Sequence, residues 1–324
     1  MLQNLGGEGA DAMTKVFIDG GSGTTGLRLA ERLRGRKDLE MITLSAERHR
    51  DPAARAEALN AADIAFLCLP DDAAREAVGM VQSGKVAVID TSTAHRVDPA
   101  WCYGMPELPG KRENIQKARR VANPGCHASG VIALLVPLLA GGILRPEAEL
   151  TCTSLTGYSG GGKKMIAEYE GAEASPLLSG GRLYALTQGH KHLPEIMAAC
   201  AGLKKTPVFN PIVTPCFAGM EVIIGLHRDQ LNGTQAQVEE AYADFYRESR
   251  MIRFVPGAGE AGFLSSRALE GRDDMEISVA GNGERMNVIA RFDNLGKGAS
   301  GAAIQNMNLL MGVDETTGLA LPRQ

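Results

Sequence analysis

Cys126 stands in the run Asn123-Pro124-Gly125-Cys126-His127-Ala128-Ser129-Gly130, immediately ahead of the apolar stretch 131–136. That order puts a thiol in the first turn of a helix, where unpaired backbone N–H groups and the positive end of the dipole lower a thiol pKa and favour the nucleophilic thiolate. A thiolate that attacks an acyl group needs a partner to carry protons, and histidine titrates in the right range. His190 and His192 lie in the polar cluster Gln188-Gly189-His190-Lys191-His192-Leu193-Pro194-Glu195 and are the expected acid–base and substrate residues. His127 adjoins the nucleophile in sequence, with the direction of its side chain undecided, while His49, His95 and His227 read as surface or structural residues. Alternate histidines also suit a metal, but no third ligand stands at a diagnostic spacing, so no metal is expected.

The second chemical feature is the loop Gly20-Gly21-Ser22-Gly23-Thr24-Thr25-Gly26, which contains G-x-G-x-x-G between a β-rich run and a stretch with apolar residues at helical spacing. In that context backbone N–H groups receive a dinucleotide pyrophosphate and glycines let it approach. After the second strand pattern comes Ser45-Ala46-Glu47-Arg48-His49-Arg50. Glu47 suits the ribose hydroxyls of NAD, whereas Ser45, Arg48 and Arg50 offer a hydroxyl and two guanidiniums that suit a 2′-phosphate, so the expected cofactor is NADP(H). For the substrate, Ser92 and Arg96 follow the fourth strand, Asn123 precedes the cysteine, and Lys163, with Lys164 beside it, follows the glycine run 157–162. These residues suit an anionic small molecule.

The elements that must position these groups alternate. Strands are expected at 14–19, 41–44, 64–69 and 86–90, with helices after the glycine loop and at 71–83, a pattern that predicts a parallel, doubly wound sheet. After the Cys126 helix the texture changes. Strand patterns at 150–155, 208–213, 220–227, 251–255, 275–280 and 288–293, with a helix at 235–249, predict an α+β domain with a mainly antiparallel sheet. A last amphipathic helix is expected at 300–311. The organisation expected is a disordered leader at 1–13, a dinucleotide-binding domain at 14–125, a catalytic and oligomerisation domain at 126–298, and a C-terminal segment at 299–324.

The chain has 324 residues, of which 44% are hydrophobic and 22% charged, with a formal net charge of −4. It is long enough for two domains, and its charge offers no basic field for nucleic acid or anionic membrane. Cysteines at 68, 102, 126, 152, 200 and 216 form no C-x-x-C pair and read as reduced thiols; Cys68 reads as structural and Cys216 as a site-lining candidate. With no apolar run of spanning length and no signal-peptide order at the N-terminus, the expectation is a cytoplasmic protein without nucleic-acid or membrane partners. The antiparallel sheet is the expected homo-oligomer surface, for a dimer or tetramer.

Cys126 in Asn-Pro-Gly-Cys, Tyr103-Gly104-Met105-Pro106-Glu107-Leu108, His190-Lys191-His192-Leu193-Pro194-Glu195-Ile196 and 297–308 (KGASGAAIQNMN) occur in this order with the glycine loop. Together they resemble N-acetyl-γ-glutamyl-phosphate reductase, and more closely its shorter, type 2 form. The resemblance implies a fold like that of aspartate-semialdehyde and glyceraldehyde-3-phosphate dehydrogenases: a Rossmann-type NADP domain whose last helix returns from the catalytic domain. It implies Cys126 as nucleophile, His192 or His190 as acid–base residue, Asn306 near the nicotinamide and Arg96 near the substrate. The reaction implied is NADPH-dependent reduction of an acyl phosphate to a semialdehyde through a cysteine thioester, in arginine biosynthesis. Two departures from the longer form, Leu193 in place of threonine and His127 in place of tyrosine, leave open how His190 and His192 divide their work. Rival readings are a sister enzyme of aspartyl or aminoadipyl substrates, and an NADP-binding regulator without turnover.

Overall fold

A computed structural model describes residues 13–322; apart from Met13, the expected leader lies outside the described residues. The first half runs β1 (Thr14–Asp19), α1 (Thr24–Leu33), β2 (Leu39–Ile42), α2 (Pro52–Ala61), β3 (Ile64–Leu67), α3 (Asp71–Met80), β4 (Ala87–Asp90), β5 (Cys102–Tyr103), α4 (Lys111–Lys117) and β6 (Arg120–Ala122). The six strands form one sheet in the order β2-β1-β3-β4-β6-β5, every neighbour parallel. β3 and β4 are buried at every residue, as strands covered on both faces must be. α2 and α3 cover one face through Leu59, Ala74 and Ala77, and α1 covers the other through Leu29 and Leu33. The order reverses between β1 and β3, and at that point the carboxyl ends of the strands open a crevice.

The chain then enters α5 (Cys126–Ala140), the helix that begins at the thiol. Val131, Ile132, Leu134, Leu135 and Leu138 are fully buried along it, each contributing about 1.5–3 kcal/mol by leaving water. Tyr242 and Tyr246 donate hydrogen bonds to its Leu134 and Ala133 carbonyls at 2.7 and 2.8 Å. The Cys126 thiol therefore sits at the end of a helix fixed inside the core.

The second half continues with β7 (Thr151–Gly157), α6 (Gly162–Glu170), β8 (Arg182–Leu183), α7 (Leu193–Ala199), β9 (Val208–Thr214), β10 (Met220–His227), α8 (Gln235–Phe245), β11 (Ile252–Phe254), β12 (Met275–Gly281) and β13 (Arg285–Phe292). Its sheet has the order β11-β12-β13-β10-β7-β9-β8. Four pairings are antiparallel, and β7 with β9 and β11 with β12 are parallel, so the sheet is mixed. α5, α7 and α8 bury one face of it; on the other, Thr151, Val208, Gly225 and Asn287 stay exposed. A π-turn at Gly296–Ser300 precedes α9 (Gly301–Met311), so the expected last helix begins one residue late. Ala303, Ile304 and Met307 of α9 join the core of the first sheet beside Val16 and Ile89, which returns the chain to the first domain.

Candidate active site

The carboxyl ends of β1, β3, β4 and β6 and the loops after β7 and β8 enclose one cleft of about 700 Å³. Its lining runs without a break from Ser22–Thr25 of the glycine loop to Cys126, His190 and His192. On the glycine side the geometry is made by backbone. Gly20 has φ +83°, and a Cβ there would lie 2.3 Å from the Cys68 carbonyl oxygen, so no other residue fits between the ends of β1 and β3. α1 starts at Thr24 with no side chain capping its first amides, and the buried Thr24 Oγ1 has no hydrogen-bond partner among the described residues. Uncapped amides, a close-approach glycine and a spare hydroxyl are what a pyrophosphate requires, so these residues fit a dinucleotide.

Ser45, Arg48 and Arg50 stand on the exposed loop after β2, outside the cleft lining, and Arg48 forms a 3.4 Å ion pair with Glu57. β2 is the neighbour of β1, so this loop flanks the glycine loop at the sheet's edge.

On the other side, side chains from three segments converge on Gly125. Glu195, in the first turn of α7 and almost fully buried, accepts hydrogen bonds from Arg96 Nη1 at 2.8 Å, Tyr103 Oη at 3.0 Å and the Gly125 amide at 3.2 Å. Its Oε1 lies 3.9 Å from His192 Nε2. A Cβ at Gly125 would stand 2.4 to 2.6 Å from Arg96 Nη1, His192 Nε2 and Glu195 Oε1, which is why glycine precedes the cysteine. Burial pushes the Glu195 carboxyl above its ordinary range, against the pull of Arg96, the Gly125 amide and Tyr103.

Arg96, expected to face an anionic substrate, spends all three nitrogens on the protein: Nε donates to Asn123 O at 3.0 Å, Nη2 to Thr91 O at 2.9 Å and Nη1 to Glu195. Ser92 lines the cleft, but its hydroxyl donates to Asp90 Oδ2 at 2.7 Å and accepts from the Ala94 amide at 3.1 Å. Asn123 also lines the cleft and donates to Ala299 O at 3.1 Å. Asn306 is fully buried and outside the lining; its Nδ2 donates to Gly104 O at 2.9 Å and Asn123 Oδ1 at 3.1 Å, so it reaches the site through Asn123. Lys163 and Lys191 are exposed cations of the lining, and neither has an ion-pair partner among the described residues. Cys68 lies on the cleft floor, burial pushing its thiol up to about 12, whereas Cys216 lies outside the lining against Thr214 Oγ1 at 3.0 Å.

The expectation of a lowered Cys126 pKa is reversed. Burial pushes this half-buried thiol above its ordinary value, although the His127 amide, Arg96 and Lys191 all pull it down. Desolvation of the thiolate outweighs the helix start, so the thiol needs a base. Three neutral histidines line the same cleft. Burial holds His192 well below its ordinary value and takes His190 to about 4, with Arg96 and Lys191 adding repulsion in both. His190 Nδ1 accepts the His192 amide at 3.1 Å, which puts the His190 proton on Nε2. His192 Nδ1 is buried and has no partner among the described residues. His127 points into the same cluster, its ring 5.4 Å from His190 and 5.6 Å from His192. No group of three or more histidine, cysteine or carboxylate side chains among the described residues is arranged to hold a metal. No described helix is long and apolar enough to cross a membrane.

The sequence reading missed Glu195, Tyr103 and Tyr184 as site residues, and Lys191 as a cation of the lining. Pro194-Glu195 beside the two histidines was the available signal for Glu195; nothing local marks the tyrosines.

Comparison with known proteins agrees with this architecture. Residues 15–118 match the semialdehyde dehydrogenase NAD binding domain and residues 126–294 the semialdehyde dehydrogenase dimerisation domain. The chain is 45% identical over 307 residues to the N-acetyl-γ-glutamyl-phosphate reductase of Burkholderia lata, covering 92% of this chain and 96% of that one. It is 44% identical over 313 residues to N-acetyl-γ-glutamyl-phosphate reductase 2 of Pseudomonas putida, covering 94% and 98%. Among solved structures, aspartate semialdehyde dehydrogenase II of Vibrio cholerae, complexed with ASA, superposes with a TM-score of 0.71 at 18% identity, over 93% of this chain and 99% of that one. Aspartate semialdehyde dehydrogenase of Candida albicans, with NADP, gives 0.65 at 14% identity, over 93% and 99%.

Proposed function

This chain belongs to the N-acetyl-γ-glutamyl-phosphate reductase family, and we propose that Cys126 carries its reaction. That reaction is the NADPH-dependent reduction of N-acetyl-γ-glutamyl phosphate to N-acetylglutamate semialdehyde and phosphate, in arginine biosynthesis. The observation that carries the assignment of residues is the cleft whose lining joins the glycine loop to Cys126 and three neutral histidines.

His192, whose Nε2 faces Gly125 beside the thiol, takes the Cys126 proton, and the thiolate attacks the acyl carbon. The carbon–oxygen bond to phosphate breaks, phosphate leaves with the electron pair, and a thioester joins substrate to Cys126. The first amides of α5, uncapped by any side chain, steady the oxyanion. Gly20–Gly26, with Ser45, Arg48 and Arg50 at the 2′-phosphate, would hold NADPH, which would supply hydride to the thioester carbonyl when bound. The resulting thiohemiacetal collapses, Cys126 leaves as thiolate, and the protonated His192 returns the proton. Glu195 and Arg96 hold Gly125, Asn123 and Thr91 so that thiol and base keep their places. Lys163 and Lys191 supply positive charge for the anionic substrate, with Ser92 and Asn123 forming the wall beside it.

The protein works on a small molecule and forms a homo-oligomer. The exposed face of the mixed sheet, with Thr151, Val208 and Asn287, is the surface on which a dimer forms. Six free cysteines suit the reducing cytoplasm.

Assay in the reverse direction tests the substrate. Phosphate-dependent reduction of NADP by N-acetylglutamate semialdehyde is expected; turnover of aspartate semialdehyde alone would overturn the reading.

A further inference from the structure

One polar chain at the site has no part in the steps above. His127, the second residue of α5, lies with Nδ1 2.6 Å from Ser154 Oγ on β7 and Nε2 2.7 Å from Tyr184 Oη on the loop after β8. Both imidazole nitrogens are therefore occupied by hydroxyls. Burial holds His127 down to about 3, with His190 and Lys191 adding repulsion, so the ring stays neutral and carries one proton. Which nitrogen carries it follows from Ser154. That residue is fully buried, and its hydroxyl has no other hydrogen-bond partner among the described residues. If Nδ1 bore the proton, the Ser154 hydroxyl hydrogen would be buried without an acceptor, a state that native structures avoid. Ser154 therefore donates to Nδ1, and Nε2–H donates to Tyr184 Oη. The Tyr184 hydroxyl hydrogen is then left free, and Tyr184 lines the cleft.

We propose that Ser154, His127 and Tyr184 form a hydroxyl–imidazole–hydroxyl relay that fixes Tyr184 as a hydrogen-bond donor to an oxygen of the bound substrate. Tyr184 belongs to the wall built on the mixed sheet, away from the glycine loop, and the α5 amides already serve the reacting carbonyl. The oxygen it meets is therefore at the substrate's other end, on the acetamido carbonyl or the α-carboxylate. Burial raises the Tyr184 phenol above its ordinary value, which keeps it a donor. In this arrangement Tyr184 binds substrate, while His127 and Ser154 are positioning residues. The inference rests on the reductase reading.

The test compares Tyr184→Phe with the unaltered enzyme on three aldehydes, using phosphate and NADP. These are N-acetylglutamate semialdehyde, 4-acetamidobutanal, which lacks the carboxylate, and 5-oxopentanoate, which lacks the acetamide. On the full substrate the variant should raise KM about tenfold with kcat within about threefold, the pattern of a lost binding contact. The penalty should persist on one truncated aldehyde and vanish on the other: persistence on 4-acetamidobutanal identifies the acetamide, and persistence on 5-oxopentanoate the carboxylate. A penalty under about twofold on the full substrate, or an equal one on all three, would overturn the proposal. His127→Phe should cost about as much as Tyr184→Phe, and the double variant little more; full additivity counts against the relay. Independently of activity, ¹⁵N-histidine NMR should show His127 neutral with its proton on Nε2; a proton on Nδ1 would overturn the proposal even if a variant misfolds. An unaltered enzyme inactive on all three aldehydes would refute the reductase reading itself, and the relay's role with it.

Discussion

The two walls of the cleft are built in opposite ways. The glycine wall is a run of consecutive residues, Gly20 to Gly26, whose useful groups are backbone amides and whose shape is set by what a Cβ would strike. The thiol wall draws Arg96, Tyr103, Gly125, His192 and Glu195 from segments up to 99 residues apart and joins them through one buried carboxylate. A backbone site is made as soon as one strand–turn–helix forms. The thiol site exists only when the whole fold is in place, and its groups change one another's charge states.

Four experiments would break or sharpen that contrast. The largest effect is expected from Cys126→Ser, which removes the proposed nucleophile and should lower turnover roughly 10⁴-fold or more. NADP affinity, measured by fluorescence titration, should stay within about twofold because the glycine wall is made without the thiol. A variant that keeps turnover would take the chemistry away from Cys126.

Acid should attack the thiol wall next. His127 and His192 are almost fully buried and held neutral, so the unfolded chain binds two protons that the native cluster refuses. Their folded pKa values are depressed, so the stability they contribute is present above the ordinary histidine value of about 6.5 and is lost as pH falls toward about 3 for His127. The slope should approach about 2.7 kcal/mol per pH unit below about pH 6, with half-exposed His190 adding less. Urea midpoints across this range measure it. His127→Gln should remove about half of the slope, and an unchanged slope would show that His127 is protonated in the native state.

Gly20→Ala tests the other wall. A Cβ at φ +83° and 2.3 Å from a carbonyl oxygen forces the loop to move, at about 2 kcal/mol or more of stability. NADP binding should fall with it, while alkylation of Cys126 in the remaining folded protein should proceed at the unaltered rate. A parallel loss of thiol reactivity would mean that the walls are coupled.

The same contrast explains what was legible in the sequence. β1 was readable to the residue and the glycine loop with it, because strand, turn and helix follow one another directly. The buried strands β3 and β4 stood out as apolar runs, but the two-residue β5 and three-residue β6 are too short to show a period. α2 went unread although Asp51 caps it through the Ala53 amide and Pro52 opens it; its face is mostly alanine, which gives no apolar stripe. At the thiol wall Cys126 and both histidines were visible as residue types. Their charge states were not, since burial set them against the helix start. Arg96 shows the same limit: an arginine after a strand reads as an anion binder, and only the fold reveals that Glu195 and two carbonyls already hold it.

The smallest effect concerns the edge of the glycine wall, where side chains do enter. Ser45, Arg48 and Arg50 are exposed after β2, and Arg48 has only a 3.4 Å surface pair with Glu57 to release. An exposed pair of this kind contributes about 0–1 kcal/mol, so freeing Arg48 for a phosphate costs little, and its removal should leave stability within about 0.5 kcal/mol. Two guanidiniums meeting a 2′-phosphate in high dielectric should instead favour NADPH over NADH by about 1.4 kcal/mol, or tenfold. Arg48→Ala combined with Arg50→Ala should therefore raise the KM for NADPH about tenfold and leave the KM for NADH unchanged, whereas in the unaltered enzyme rising salt should weaken the discrimination. An undiminished preference for NADPH in the double variant would move 2′-phosphate recognition off this loop and onto the cleft cations Lys163 and Lys191 of the opposite wall, erasing the division between a cofactor side made by the first sheet and a substrate side made by the second.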